Sequence, residues 1–256
     1  MSRPPVHVEA HTWGDAPELY GPRHDYRESL VMRRVRRIAV TGGRALDAGA
    51  GAGSLAARLA AAGYRVTAVD GSPAFAERLA ATMAAAPGGP HEALHGDMTA
   101  LPVPGGAFDL VTCCEVLEHL EDDAAAAREL FRALRPGGSL LVTVPAGPGR
   151  TDWTDEWAGH FRRYDAVGLE GLLRVAGFGA VEVRGWGFPV TGLYHRHVYS
   201  RMLRRRLDRG EEGLGGAAGG ATGLAARVLR GLLEIDTPFT GRFPGWFGLI
   251  ATARRP

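Results

Sequence analysis

The chain has 256 residues, 45% of them hydrophobic, and a formal net charge of +2, which describes an ordinary soluble protein. It is long enough for one large α/β domain with extra segments or for two small domains. No apolar run reaches the roughly 18 residues of a membrane span, and Met1-Ser2-Arg3-Pro4-Pro5 lacks the apolar core of a signal peptide, so the expected location is the cytoplasm.

Residues up to about Pro22 are mixed and contain prolines, and read as a lead-in. From Arg23 to Ala39, Leu30, Val31, Val35 and Ile38 recur at helical spacing with arginines on the other face. A first strand runs into Asp47, a glycine-rich turn follows, and Leu55 to Ala62 is an alanine-rich helix. Val66 to Val69 is a second strand ending in Asp70, and Ser72 with Pro73 behind it opens a helix that stops before Pro87-Gly88-Gly89-Pro90. A short strand precedes Gly96-Asp97. Phe108 to Cys113 is the fourth strand, Asp122 to Leu134 a helix stopped by Arg135-Pro136-Gly137-Gly138, and Ser139 to Val144 the fifth strand.

Gly147 to Tyr164 reads as a loop with a short helix, Ala166 to Ala176 as a helix closed by Gly177, and Ala180 to Val183 as the sixth strand. Val190 to Asp236 then holds a basic helix (Tyr194 to Arg209), a Gly/Ala-rich stretch (Gly210 to Gly223) that reads as flexible, and a second helix (Leu224 to Ile235). Trp246 to Ala253 is a last strand. The expected organisation is a single domain over 1–256. It comprises a lead-in and helix at 1–40, a core at 41–189, a helical insertion at 190–236 with 210–223 flexible, and the final strand within 237–256. Strand, turn and helix alternate at α/β spacing, so the fold expected is a mostly parallel sheet with helices on both faces.

In such sheets the ligand lies beyond the carboxyl ends of the strands. Asp47, Asp70, Asp97 and Glu115 fall at those ends, and four acids at one rim suit a cationic, hydroxyl-rich ligand. The turn itself, Asp47-Ala48-Gly49-Ala50-Gly51-Ala52-Gly53-Ser54, narrows the choice. Its glycines allow a tight turn and close approach of a ligand. A dinucleotide pyrophosphate on the helix N-terminus would be repelled by Asp47, whereas the sulfonium and ammonium of S-adenosylmethionine (SAM) are attracted. The third glycine also comes one residue early for the dinucleotide fingerprint, which disfavours an NAD-binding oxidoreductase.

The chain has no Lys, Asn or Gln. That excludes a Schiff-base lysine, pyridoxal phosphate chemistry and a P-loop, and leaves no Asn for an Asp/Asn magnesium site, so no metal is expected. Cys113 and Cys114 are adjacent in a strand, point to opposite faces, and read as small buried hydrophobes rather than a disulfide or zinc site.

Five features stand in order: Asp-x-Gly-x-Gly-x-Gly, Asp70 after the second strand, Gly96-Asp97-Met98, Cys113-Cys114-Glu115, and Leu134-Arg135-Pro136-Gly137-Gly138. Together they resemble the class I SAM-dependent methyltransferases over roughly Ala45 to Ala253. Gly159-His160-Phe161-Arg162-Arg163-Tyr164 resembles a bacterial subset of these enzymes. The resemblance implies a Rossmann-like, seven-stranded, mostly parallel sheet with a helical insertion before the last strand, and SAM as cofactor. It implies that Asp47 and the turn Gly49, Gly51 and Gly53 hold the methionine part of SAM. Asp70 would accept from both ribose hydroxyls, Gly71 and Ser72 line the adenine edge, Asp97 takes the adenine amino group and Met98 packs on the ring. Glu115 would approach the methionine amine, and Tyr20 and Tyr26 would close over the cofactor. Alternatives stand beside these: a helix cap for Asp70, a turn aspartate for Asp97, core packing for Met98, and an exposed helix start for Glu115 with Glu118.

Methyl transfer is an in-line displacement in which alignment matters most, and a base is needed only for a poor nucleophile. His160, after the fifth strand, is the first candidate base and His119 the second; the alternative for either is a histidine satisfied by its neighbours. Arg162 and Arg163, with Tyr164, are candidate contacts to an acceptor carboxylate or phosphate, or else a solvated face. The arginines of 194–209 fit a lid, a peripheral membrane contact or a charged outer face; nucleic acid is disfavoured because no aromatic-interleaved basic groove is visible. The activity expected is methylation of oxygen or nitrogen on a small-molecule acceptor, natural-product-like or lipid-linked. A non-methylating reaction such as cyclisation on the same fold, or a non-catalytic SAM-binding module, is the alternative.

Overall fold

Seven strands form one sheet in the order β3-β2-β1-β4-β5-β7-β6, in a computed structural model that describes residues 21–38, 42–209, 224–241 and 247–256. Tyr20, the Gly/Ala-rich stretch 210–223 and Trp246 lie outside the described residues. The strands are β1 (Arg44–Ala48), β2 (Arg65–Asp70), β3 (Glu92–His95), β4 (Phe108–Cys114), β5 (Leu134–Pro145), β6 (Gly179–Trp186) and β7 (Gly248–Arg254). β1 to β5 pair in parallel, and β7 runs antiparallel between β5 and β6.

The central strands read as continuous apolar runs because both faces are covered. Their period of two sends alternate residues into two cores. Leu46, Val111, Cys113, Leu140, Val142 and Leu249 enter one, while Ala45, Leu110, Leu141 and Ile250 enter the other. Cys113 and Cys114 follow the same alternation, each packed against a different core and neither bonded to the other. Burial pushes both thiols up, that of Cys114 to about 12.

The second core is covered by α1 (Gly21–Ile38), α2 (Ser54–Ala61) and α3 (Pro73–Ala85); the first by α4 (Asp123–Ala133) and α6 (Ala166–Val175), while the short α5 (Trp153–Ala158) follows β5. On α1 the expected Leu30, Val31 and Val35 are buried and Ile38 is half-buried, and Met32 joins the buried face. The insertion contributes α7 (Val190–Tyr194), a π-turn at His195–Tyr199, α8 (Ser200–Leu207) and α9 (Leu224–Leu233). The fully buried Asp236 accepts from the backbone N–H groups of Val190 (2.7 Å) and Thr191 (2.8 Å), capping α7 from a distant segment. Arg230 of α9 pairs with Asp25 of α1, and Arg33 of α1 pairs at 2.6 Å with Glu234, which directly follows α9. Among the described residues no helix is long and apolar enough to cross a membrane.

Some expected boundaries are corrected. The helix thought to run through Leu134 ends at Ala133, and β5 begins at Leu134, passing through Arg135-Pro136-Gly137-Gly138. Leu134 is fully buried and pairs with Phe108, and a register shift beside that pair absorbs the next residues. Gly137 (φ 77°) gives the bulge its conformation. β6 extends to Trp186 because β7 pairs along it, and the basic helix starts at Val190.

Candidate active site

Beyond β1 the chain passes Gly49, Gly51 and Gly53 with φ of 78°, 54° and 89°, a left-handed region that glycine enters freely. A Cβ at Gly49 would also stand 2.2 Å from Val116 Cγ2. Gly49 and Ala50 donate backbone N–H bonds to the carbonyl of Val69 (2.8 and 3.0 Å). Asp70, at the end of β2, then ties the turn to α3: Oδ2 accepts from Gly51 N at 2.7 Å and Oδ1 from Ser72 N at 2.8 Å. Each oxygen retains a further lone pair, so two hydroxyls can still be received, and burial raises the carboxyl above its usual value.

Asp47 lies inside β1, 2% exposed. Oδ1 accepts from Thr112 Oγ1 at 2.6 Å, and Oδ2 is buried with no hydrogen-bond partner among the described residues. Burial pushes this carboxyl to about 7. An orphaned carboxylate oxygen under the glycine turn fits a ligand that brings positive charge. Glu115 follows β4 with φ 56°, a strained conformation for a residue with a Cβ; its Oε1 accepts from Thr143 Oγ1 at 2.8 Å, and its Oε2 lies 3.7 Å from Arg27 Nη1. The Nε of Arg27 is buried without a partner among the described residues. Glu115 and Arg27 thus set an anion and a cation side by side at this rim, a pairing that would suit a zwitterionic amino-acid head.

The remaining cofactor candidates are placed as follows. Gly71 passes close to the backbone, a Cβ there standing 3.3 Å from the carbonyl oxygen of Gly96. Ser72 is buried at the start of α3. Asp97 is exposed and its Oδ1 accepts from Thr99 N (2.7 Å) and Oγ1 (2.8 Å), closing a turn. Met98 is buried in the first core. Tyr26 is fully buried, its ring edge-on to Trp186 and its hydroxyl 3.4 Å from Thr237 Oγ1.

After β4 a short 3-10 turn, Leu117–His119, carries Glu118 into the interior, fully buried with both oxygens unpartnered among the described residues. Burial, then the neighbouring Glu115, pushes its carboxyl well above the usual range. The rings of His119 and His160 meet edge-to-face at 4.7 Å, and Glu118, His119 and His160 offer ligand atoms all within 4.8 Å of one another. That spacing suits a divalent cation, although no metal is expected from the sequence.

His160 Nδ1 lies 2.8 Å from Asp155 Oδ1. Asp155 sits in the first turn of α5, where it forms a capping box with Asp152 and accepts from Arg163 Nε at 2.8 and 3.0 Å. Burial alone would raise its carboxyl, but the His160 and Arg163 bonds hold it well below the usual range. Asp155 and His160 line a cavity of about 360 Å³ with Thr151, Asp152, Trp153, Glu156 and Phe161. Arg162 is paired with Asp123 (2.8 Å), Tyr164 donates to Asp123 (2.7 Å), and Arg163 is held by Asp155. Sequence reasoning missed Arg27, Glu118 and Asp155. Only the five-residue spacing from Asp155 to His160 was visible, and it says nothing by itself about the turn that joins them.

A sheet reversing its strand order at β1 and β4, with a glycine turn and acids at its carboxyl rim, defines an α/β enzyme for a cationic nucleoside cofactor. Residues 46–142 match the family model described as methyltransferase domain. The chain is 34% identical over 176 residues to a probable S-adenosylmethionine-dependent methyltransferase of Mycolicibacterium smegmatis, covering 67% of this chain and 64% of that protein. It is 30% identical over 224 residues to the ubiquinone biosynthesis O-methyltransferase of Marinobacter nauticus, covering 79% and 93%. Against the first curated relatives the match spans less than two thirds of their length, 64% and 58%. Among solved structures it is similar to the [4+2]-cyclase SpnF, with a TM-score of 0.62 and 24% identity over 90% of this chain and 80% of that one, a likeness that bears on the fold alone. The chain belongs to the class I SAM-dependent methyltransferases, and its cofactor is SAM.

Proposed function

We propose that this methyltransferase acts on an oxygen or nitrogen of a small-molecule acceptor, with His160 as the base where the acceptor needs one. The observation that carries the reading is the Asp155–His160 bond. A carboxylate only accepts, so the Nδ1 of His160 holds the proton and Nε2 keeps its lone pair for an acceptor O–H or N–H. When bound, SAM supplies a methyl group on a sulfonium, which passes in line to the nucleophile and leaves a neutral thioether. Asp47 and the Gly49, Gly51 and Gly53 turn orient the methionine part, with Glu115 on its ammonium and Arg27 on its carboxylate. Asp70 would receive the ribose hydroxyls, Gly71 and Ser72 would line the adenine edge, Asp97 would take the adenine amino group and Met98 would pack on the ring. His119, whose ring meets that of His160 edge-to-face, is the second candidate for the base.

From α7 through the π-turn into α8 the exposed Leu193, Val198 and Met202 alternate with the exposed arginines Arg196, Arg201 and Arg205, which supports a peripheral contact with an anionic membrane and hence a lipid-linked acceptor. Isothermal titration and product mass test the reading together. SAM is expected to bind the wild type, Asp70→Ala to weaken it strongly, and the product to gain one methyl per turnover. An acceptor that reacts with unchanged mass would establish a non-methylating reaction instead, and an absence of SAM affinity would sink both.

A further inference from the structure

Arg162 and Arg163 are both neutralised by carboxylates, Asp123 and Asp155. Arg23, in the first turn of α1, is not: among the described residues it makes no ion pair. Its Nη1 donates to His195 Nδ1 at 2.5 Å, and its guanidinium lies over the rings of Tyr199 (4.2 Å) and Phe247 (5.4 Å). Because Arg23 has no acceptor atom, His195 receives at Nδ1 and carries its proton on Nε2, 3.5 Å from Thr154 Oγ1. Burial and then the charge of Arg23 push His195 down to about 3, so the imidazole stays neutral. Tyr199 is 6% exposed, and its hydroxyl is buried with no partner among the described residues.

Among the described residues, therefore, the Arg23 guanidinium and the His195 ring sit between Tyr199 and Phe247, Arg23 pairs with no carboxylate, and the Tyr199 hydroxyl is an unused donor. Arg23 is half-buried, and the ring faces attract its guanidinium without neutralising its charge. This cluster also connects to the reacting end: His195 contacts Thr154, which precedes the Asp155 that orients His160.

We propose that Arg23, with the Tyr199 hydroxyl beside it, forms a subsite for an anionic oxygen group on the acceptor. The group is a carboxylate or a phosphate monoester. This rests on the reading of His160 as the acceptor end. Planar guanidinium geometry receives either group through two parallel N–H bonds, and the acceptor supplies the missing countercharge on arrival. The role expected of Arg162 and Arg163 passes to a residue on the first helix.

The test uses the full chain saturated with S-adenosylhomocysteine, titrated with benzoate, phenyl phosphate and the neutral benzyl alcohol, and followed by NMR of the His195 ring and by calorimetry. An anionic probe is expected to bind at least about tenfold more tightly than benzyl alcohol and to shift the His195 resonances; whichever of benzoate and phenyl phosphate binds better identifies the group. Arg23→Gln should weaken that probe about tenfold or more and abolish its effect on His195. Tyr199→Phe should weaken it several-fold, and Arg23→Lys should restore part of the loss, all with unchanged S-adenosylhomocysteine affinity. Equal binding of charged and neutral probes, or an Arg23→Gln variant that binds the anion like wild type, overturns the subsite. If Arg23→Gln does not fold, the Nε–H resonance of Arg23 in the wild type decides: it moves on adding the anionic probe, or the proposal fails. A wild type that fails to bind S-adenosylhomocysteine counts against the methyl-transfer reading, and the probe titrations still report on Arg23.

Discussion

Asp155 accepts a 2.8 Å hydrogen bond from Nδ1 of His160 while both of its oxygens also receive Arg163. The pair fixes one tautomer of the imidazole and leaves Nε2 as the basic atom. His160→Ala is expected to lower kcat by roughly 10²–10⁴-fold with SAM affinity unchanged. Asp155→Asn should also lower kcat, because an amide can present its oxygen to Arg163 or to His160 but no longer fixes the ring as firmly. Steady-state rates beside calorimetry for SAM make the check; a His160→Ala enzyme at wild-type rate removes the histidine from the chemistry. Long-range nitrogen NMR of the wild type should show the proton on Nδ1.

Asp47 makes SAM binding depend on pH in a direction set by its burial. Its carboxyl stands near 7 in the protein, and a bound sulfonium and ammonium favour its ionised form. Binding therefore releases a proton below that value, and affinity should fall by up to about tenfold per unit as pH drops under about 7, then level off above it. Asp47→Asn should flatten the profile. For stability without ligand the sign runs the other way. The raised acid favours the folded state at low pH, and that contribution is lost as pH rises through about 7. His195, held near 3, acts oppositely by losing stability as pH falls below about 6.5, so wild type and Asp47→Asn are compared at each pH by thermal unfolding. A pH-independent SAM affinity in wild type would remove Asp47 from the cofactor site.

The acids of this rim were legible in the sequence because a strand, a glycine turn and a helix are local patterns. Asp47 and Asp70 are fixed by their places at the ends of apolar runs. The other half of the site was not legible. Arg23 and Arg27 read as part of a solvated arginine face, and only the folding of α1 against the sheet brings them to the rim beside Glu115 and His195. Glu118 lies one helical turn from Glu115 in sequence, which suggests an exposed helix start, yet the tight turn at Leu117–His119 carries it fully inside. Leu134 was assigned to a helix because Arg-Pro-Gly-Gly is a stop signal; its pairing with Phe108 is a tertiary fact.

The surface of the insertion gives a separate prediction. Among the described residues, seven of the ten exposed large apolar side chains fall between Leu193 and Ile235, and Leu224, Val228, Leu232 and Ile235 follow one helical stripe. With Arg196, Arg201 and Arg205 nearby in sequence, this face should bind vesicles containing phosphatidylglycerol and release them as salt rises. Flotation of wild type against Arg196→Glu/Arg201→Glu/Arg205→Glu measures it. Equal recovery with purely zwitterionic vesicles, or no recovery at all, rules out an anionic membrane contact.

Gly49 joins backbone conformation to cofactor binding in one position. Its φ of 78° disfavours any side chain, and a Cβ there meets Val116 Cγ2 at 2.2 Å. The two effects separate in a double substitution. Gly49→Ala should lower stability by about 1–3 kcal/mol and weaken SAM binding, because the turn shifts the N–H that Gly51 presents to Asp70. Val116→Ala removes the clash but leaves the strained φ, so Gly49→Ala/Val116→Ala should recover part of the stability and little of the affinity. Chemical denaturation and calorimetry on the three variants supply both numbers. Full recovery of SAM affinity in the double variant would mean that the clash alone, and not the left-handed turn, makes glycine necessary at this position.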